Sequence, residues 1–72
     1  MALEIDTCGL SCPQPVLMFL NAVKKDPDGE FDVIVDMDVS RENVTRAAEN
    51  RGFRIEPVDE GNGRVRLRVR KA

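Results

Sequence analysis

The sequence has no histidine, no tryptophan and no tyrosine, and only two of its 72 residues are cysteine. Without histidine the chain cannot form a Ser-His-Asp or Cys-His hydrolase site, or a zinc site with histidine ligands. Two cysteines are too few to complete a structural zinc site within one chain. These absences exclude the commonest hydrolytic and zinc-dependent activities, and we expect neither a metal nor a cofactor.

The sequence also disfavours a surface that binds nucleic acid or a membrane. The net charge is −2 and the aromatic residues are three phenylalanines, whereas nucleic-acid surfaces combine basic residues with stacking aromatics. The longest apolar run, residues 16–20, is too short to span a bilayer, and the first residues lack the basic start and apolar core of a signal peptide. We predict a cytoplasmic chain that contacts neither a membrane nor nucleic acid directly and keeps its cysteines reduced.

The length corresponds to one small domain, residues 1–72. Four segments alternate between apolar and polar residues, as strands with one buried face do. These segments are residues 3–6, 31–37, 53–56 and 64–70. Helices are predicted at residues 13–25, which end in two lysines, and from a cap at Ser40 to a stop at Gly52. A turn at residues 60–63 joins the last two strands. The element order is therefore β-α-β-α-β-β.

This order predicts an α/β fold, specifically an α+β two-layer sandwich. Because every strand has a polar face, we place both helices on one side of a mixed four-stranded sheet and leave the other side open to solvent. Asp32 and Asp36 of the second strand would be favourable cross-strand neighbours of Arg66 and Arg68 in the fourth. The predicted strand order is 1-2-4-3.

Cys12 occurs where the first strand gives way to the first helix. Because a residue before proline avoids helical dihedrals and proline favours the first helical position, Cys12 is suited to the N-cap. Alternatively Ser11 is the cap and Gln14 completes a capping box. Either arrangement puts the sulfur in the first turn, where the helix dipole favours the reactive thiolate. The resulting decrease in the pKa of Cys12 should be modest, because Pro13 and Pro15 have no N–H to direct at the sulfur.

Either cysteine could instead be a small buried hydrophobic residue, and this interpretation is stronger for Cys8, at the end of the first strand, than for Cys12. The two form a Cys-x3-Cys pair around Gly9. Their Cα atoms could therefore come within bridging distance, although the spacing alone does not establish a disulfide.

Residues 9–15, Gly-Leu-Ser-Cys-Pro-Gln-Pro, resemble the Cys-Pro-x-Pro signature of the TusA/SirA/YedF family of small sulfur-handling proteins. The similarity extends over the whole chain, because that family has the same element order in about this length. Residues 36–48 are similar to the YedF-like branch more than to TusA proper.

The resemblance implies a sulfurtransferase-like carrier in which Cys12 is the working cysteine. Cys12 would accept sulfane sulfur as a persulfide from a cysteine desulfurase or a rhodanese-like donor, and would pass it to an acceptor protein. The resemblance also assigns supporting positions to the motif residues and the turn before them: Asp6, Gly9, Pro13, Gln14 and Pro15.

Cys8 departs from the family pattern, since members more often have another residue there. A second thiol raises the alternative of a dithiol redox module, in which Cys12 is oxidised and Cys8 resolves it to a disulfide. A third hypothesis is a non-catalytic, regulatory interaction domain. It would use the surplus apolar residues of the first helix as a docking patch.

Overall fold

The computed structural model describes residues 3–10 and 14–71, and its elements follow the predicted order. The elements are β1 (Leu3–Asp6), α1 (Gln14–Lys25), β2 (Phe31–Val35), α2 (Asp38–Asn50), β3 (Phe53–Gly61) and β4 (Arg64–Lys71). β1 pairs in parallel with β2, whereas β4 runs antiparallel to both β2 and β3. The sheet is therefore mixed, with order β1-β2-β4-β3, and the predicted fold class and strand order are confirmed.

The core lies between the sheet and the two helices. Alternate residues of all four strands pack with the inner faces of α1 and α2 in one buried cluster. At its centre are Phe19 of α1, Phe31 of β2 and Phe53 of β3, with ring centroids 5.9–6.1 Å apart and rings 73–88° to one another. This edge-to-face arrangement is favoured by the ring quadrupoles. The three aromatic residues therefore join one helix to two strands.

α2 begins earlier than expected, and the predicted cap at Ser40 is wrong. The helix begins at Asp38, after an extended Met37 (φ −135°, ψ 142°) that makes no side-chain capping hydrogen bond. Its first helical bond runs from the Arg41 N–H to the Met37 carbonyl, at 3.0 Å. Ser40 instead lies on the buried stripe that continues with Val44 and Ala48, so helical spacing outweighs the capping preference of serine.

The hairpin between β3 and β4 is as expected, although β3 is longer than predicted and reaches Gly61. The two loop residues, Asn62 and Gly63, both have positive φ, 55° and 77°. A two-residue type I′ hairpin loop requires this conformation, and Asn-Gly is its favoured sequence. The turn therefore determines the β3–β4 register locally.

The open face of the sheet carries an ion-pair network centred on Asp32 of β2. Asp32 accepts hydrogen bonds from Arg66 at 3.1 Å and from Arg70 at 3.2 Å. Arg68, which lies directly opposite Asp32 in the register, pairs with Glu56 of β3 instead. The expected attraction between β2 and β4 is therefore present, but it joins diagonal neighbours in the register rather than opposite residues.

None of the helices that the structure describes is long and apolar enough to cross a membrane.

Candidate functional site

The candidate site lies at the edge of the sheet where β1 and β2 end and the helices begin. We call this the loop edge. Its described residues are 7–10, which follow β1, and 36–37, which follow β2. Because β1 and β2 are parallel, their carboxyl ends meet there. The Gly9 N–H donates a hydrogen bond of 2.9 Å to Asp36 Oδ2, which ties the β1–α1 loop to the end of β2.

A tight turn at residues 7–10 shapes the start of this loop. The Leu10 N–H donates to the Thr7 carbonyl at 3.1 Å, and Gly9 has φ +80° at the third position of the turn. Such a φ favours glycine, because a Cβ there is strained even where space is free. Thr7 is 1% exposed and donates to the Ile34 carbonyl through both its N–H and its Oγ1, at 2.9 and 2.7 Å. The turn is therefore anchored to the sheet.

Asp6 and Cys8 interact within the turn. The Cys8 N–H donates to Asp6 Oδ1 at 3.0 Å, as in an Asx-turn. This bond, together with one from the Cys8 side chain, lowers the pKa of Asp6. Burial and the Asp6 carboxylate together raise the pKa of the Cys8 thiol, although the nearby Arg64 charge opposes them. The balance of these effects favours the thiol of Cys8 over its thiolate.

The structure brings together three of the residues singled out in the sequence: Cys8 and Gly9 lie in the turn, and Asp6 directly precedes it. Gln14 and Pro15 are the first two residues of α1, with Gln14 exposed and Pro15 buried. Cys12 and Pro13, and also the alternative cap Ser11, lie outside the described residues. Within the described part of the chain, no three His, Cys, Asp or Glu side chains are grouped so that they could hold a metal ion.

Asp36 is a site residue for which the sequence predicted a different role. We expected it to face an arginine of β4, but its carboxylate accepts from the backbone of Gly9. The signal that could have found this contact is the parallel pairing of β1 and β2. A polar residue directly after β2 must lie beside the loop that follows β1.

The comparison that decides the family covers nearly the whole chain: the family described as Sulfurtransferase TusA matches residues 3–71. The chain belongs to the TusA family. Over 69 residues it is 33% identical to MJ0990 of Methanocaldococcus jannaschii, which is named as a candidate sulfur carrier protein, and the match covers 94% of this chain and 92% of MJ0990. Membership of a sulfurtransferase family supports a role in sulfur handling.

A solved structure agrees with this assignment. The crystal structure of a SirA-like protein from Desulfitobacterium hafniense superposes with a TM-score of 0.86 at 32% sequence identity. The superposition covers 97% of this chain and 99% of that one. The fold and the TusA/SirA resemblance are therefore confirmed, whereas the YedF-like branch stays a prediction.

Removing the Asp36 carboxylate should loosen the site without unfolding the chain. Asp36→Ala leaves the Gly9 N–H without its partner, and we expect a loss of about 0.5–1 kcal/mol because water can partly replace an exposed hydrogen bond. The check is urea denaturation combined with hydrogen exchange of the Gly9 amide. Asp36→Asn keeps an acceptor oxygen and should behave like the parent chain; equal losses in both variants would contradict this role.

The Cys8 thiol should react slowly at neutral pH. The pKa of Cys8 in the folded chain is raised, so the thiol stays protonated at pH values where an ordinary cysteine has begun to ionise. Alkylation by iodoacetamide should therefore accelerate only at a higher pH than for an ordinary cysteine. Asp6→Asn removes the carboxylate charge while keeping an acceptor for the Cys8 N–H, so it should increase alkylation at pH 8. The measurement is mass spectrometry of alkylated Cys8 against pH, in a Cys12→Ser background. Identical profiles for the two chains would contradict the coupling.

Proposed function

We propose that the chain is a sulfur carrier that holds a persulfide on Cys12 and relays sulfane sulfur from a donor protein to an acceptor protein. The observation that carries this proposal is the match of the TusA family along residues 3–71, within which Cys12 precedes Pro13. Further support comes from the anchored turn at residues 7–10, which leads directly to the Cys12 segment.

The transfer requires only thiol chemistry. The Cys12 thiolate attacks the outer sulfur of the donor persulfide, a new S–S bond forms, and the donor leaves as a thiolate. An acceptor thiolate then attacks the outer sulfur on Cys12 and releases the Cys12 thiolate. Sulfur moves at the same oxidation level in both steps, so no external oxidant or reductant is needed. The absence of histidine is compatible with this route, because the donor delivers sulfur already activated.

Cys8 favours the carrier over the dithiol redox module. A resolving cysteine must attack as a thiolate, but the pKa of Cys8 is raised and its side chain hydrogen bonds to Asp6. Cys8 should therefore spare a persulfide on Cys12 at neutral pH. An intramolecular disulfide that forms readily under mild oxidation, seen as the loss of both free thiols, would support the redox module instead.

Both partners are proposed to be proteins, with a cysteine desulfurase or a rhodanese-like protein as the donor.

Most of the surplus apolar residues of α1 belong to the core: Phe19 is buried, and Val16, Met18 and Leu20 pack against the buried cluster. Leu17 remains 47% exposed in the first turns of α1. The patch expected there is consequently smaller than the sequence suggested.

Cyanolysis tests the proposal. The chain is incubated with a cysteine desulfurase and free cysteine, and in parallel with inorganic polysulfide, and is then separated from small molecules and treated with cyanide. A persulfide releases its outer sulfur as thiocyanate, so we expect close to one equivalent per chain. Cysteine without the desulfurase is the control and should give none. No thiocyanate from either loading route would contradict the proposal.

A further inference from the structure

The four arginines of β4 differ in their partners. Arg66 pairs with Glu4, Asp32 and Glu60, Arg70 with Glu30 and Asp32, and Arg68 with Glu56. Arg64, the first residue of β4, makes no ion pair with any residue that the structure describes. Among the described residues, the internal network therefore uses three of the four guanidinium groups and leaves the one at the start of β4.

Arg64 lies beside the loop edge, because the next residue of β4, Val65, pairs with Val35 at the end of β2. Its charge also contributes to the lowered pKa of Asp6 and opposes the raised pKa of Cys8. It also lines an open cleft of roughly 480 Å³ between the start of α2 and the β3–β4 hairpin. Arg41 of α2 lines the same cleft and, like Arg64, has no ion-pair partner in residues 3–10 or 14–71. Two guanidinium groups without an ion pair to any described residue thus share one cleft.

The aspartates around the cleft already have internal roles. Asp36 accepts from the Gly9 N–H, and Asp59 accepts from the Gly61 N–H at 2.8 Å. Asp38 lies in the first turn of α2, where the helix dipole stabilises a negative charge. Neither arginine makes an ion pair with a described residue, so both guanidinium groups are available to an external ligand.

An exposed apolar residue directly precedes the part of α2 that lines the cleft. Met37 is 40% exposed and occupies the N-cap of α2 without making a capping hydrogen bond, at a position where serine, threonine, aspartate or asparagine is normally favoured. In the chain it lies between Asp36, which accepts from the Gly9 N–H, and Asp38, which lines the cleft. Helix capping does not explain a methionine here, whereas protein interfaces are enriched in both methionine and arginine.

We propose that Met37, Arg41 and Arg64 form a docking surface for an acidic protein that presents an apolar residue flanked by carboxylates. The surface adjoins the Cys8 turn, so the partner is a protein that exchanges sulfur with Cys12; this identity rests on the proposed function. Guanidinium groups suit this role because they bind carboxylates in a bidentate geometry. An apolar contact beside them adds affinity that exposed charge pairs alone lack.

A peptide of the stated chemistry tests the docking surface directly. The probe is a capped peptide with one leucine between two pairs of glutamates, titrated into the isotope-labelled chain and followed by amide NMR shifts. We expect saturable shifts at Gly61, Gly63 and Val65, which line the cleft. Arg41→Gln/Arg64→Gln should weaken binding about five-fold or more. Arg46→Gln/Arg54→Gln removes the same charge from two exposed arginines without ion pairs to described residues, and should change binding less than about two-fold.

Several results would overturn the inference. Equal weakening in the two double variants, shifts confined to the open face of the sheet, or equal binding of a peptide with glutamine in place of glutamate would each contradict it. Equal saturation by sulfate at matched ionic strength would assign the cleft to small anions. Shifts that follow protein concentration without peptide would assign it to a second copy of the chain. Because the titration uses the chain without bound sulfur, its outcome is independent of whether Cys12 carries a persulfide.

Discussion

Cys12→Ser is expected to abolish sulfur uptake, whereas Cys8→Ser is expected to retain most of it. Each substitution replaces one sulfur atom by one oxygen atom, and the two positions are only four residues apart. Each variant is therefore the matched control for the other. The expected difference is chemical. Cys12 precedes α1, where the dipole favours an anion, but the Cys8 thiol is kept protonated by burial and by Asp6.

The measurement is the thiocyanate released after loading from a cysteine desulfurase, compared across the parent and both variants. We expect background release from Cys12→Ser and more than about half of the parental release from Cys8→Ser. Both variants should unfold at nearly the parental urea concentration, which separates lost chemistry from lost structure. Full loading of the Cys12 variant would contradict the assignment, and a loss confined to the Cys8 variant would exchange the roles of the two thiols.

Phe19→Ala is expected to have the largest effect on stability. Phe19 is fully buried and touches both other aromatic rings, so the substitution leaves a cavity where α1 meets β2 and β3. Such truncations cost about 3–5 kcal/mol. A chain of 72 residues has a total stability of only about 4–11 kcal/mol at typical values per residue. The substitution should therefore remove a large part of the chain's stability.

Urea denaturation followed by circular dichroism checks this expectation. Leu17→Ala on the same helix is the control, because Leu17 is 47% exposed and its truncation should cost less than about 1 kcal/mol. Phe19→Leu should fall between the two, since it keeps much of the buried volume. If Phe19→Ala and Leu17→Ala unfold at the same urea concentration, the aromatic trio is not the centre of the core.

The element order and the strand order were predictable because they depend on short-range patterns and on charge. Period-two alternation marks each strand, and the opposite charges of β2 and β4 favour their adjacency, as Asp32 with Arg66 and Arg70 illustrates. The individual ion pairs between β2 and β4 were less predictable. Sheet twist and side-chain length allow an arginine to reach a diagonal neighbour as easily as the opposite one.

The candidate site was only partly predictable, because its contacts join residues far apart in the sequence. Asp36 and Gly9 are 27 positions apart, and their hydrogen bond follows from the parallel pairing of β1 and β2 rather than from any local motif. Ser40 illustrates the opposite error, in which a local capping preference was outweighed by the need to bury one face of α2. The Cys12 motif was evident from the sequence, but its geometry lies outside the described residues.

Intact-mass analysis of the parent chain tests the central claim most directly. The reduced chain is incubated with a cysteine desulfurase and free cysteine, and its mass is recorded before and after treatment with a thiol reductant. We predict a gain of one sulfur atom that the reductant removes, which distinguishes a persulfide from irreversible addition of two oxygens. A loss of two hydrogens that requires both Cys8 and Cys12, or no change in mass, would contradict the carrier function.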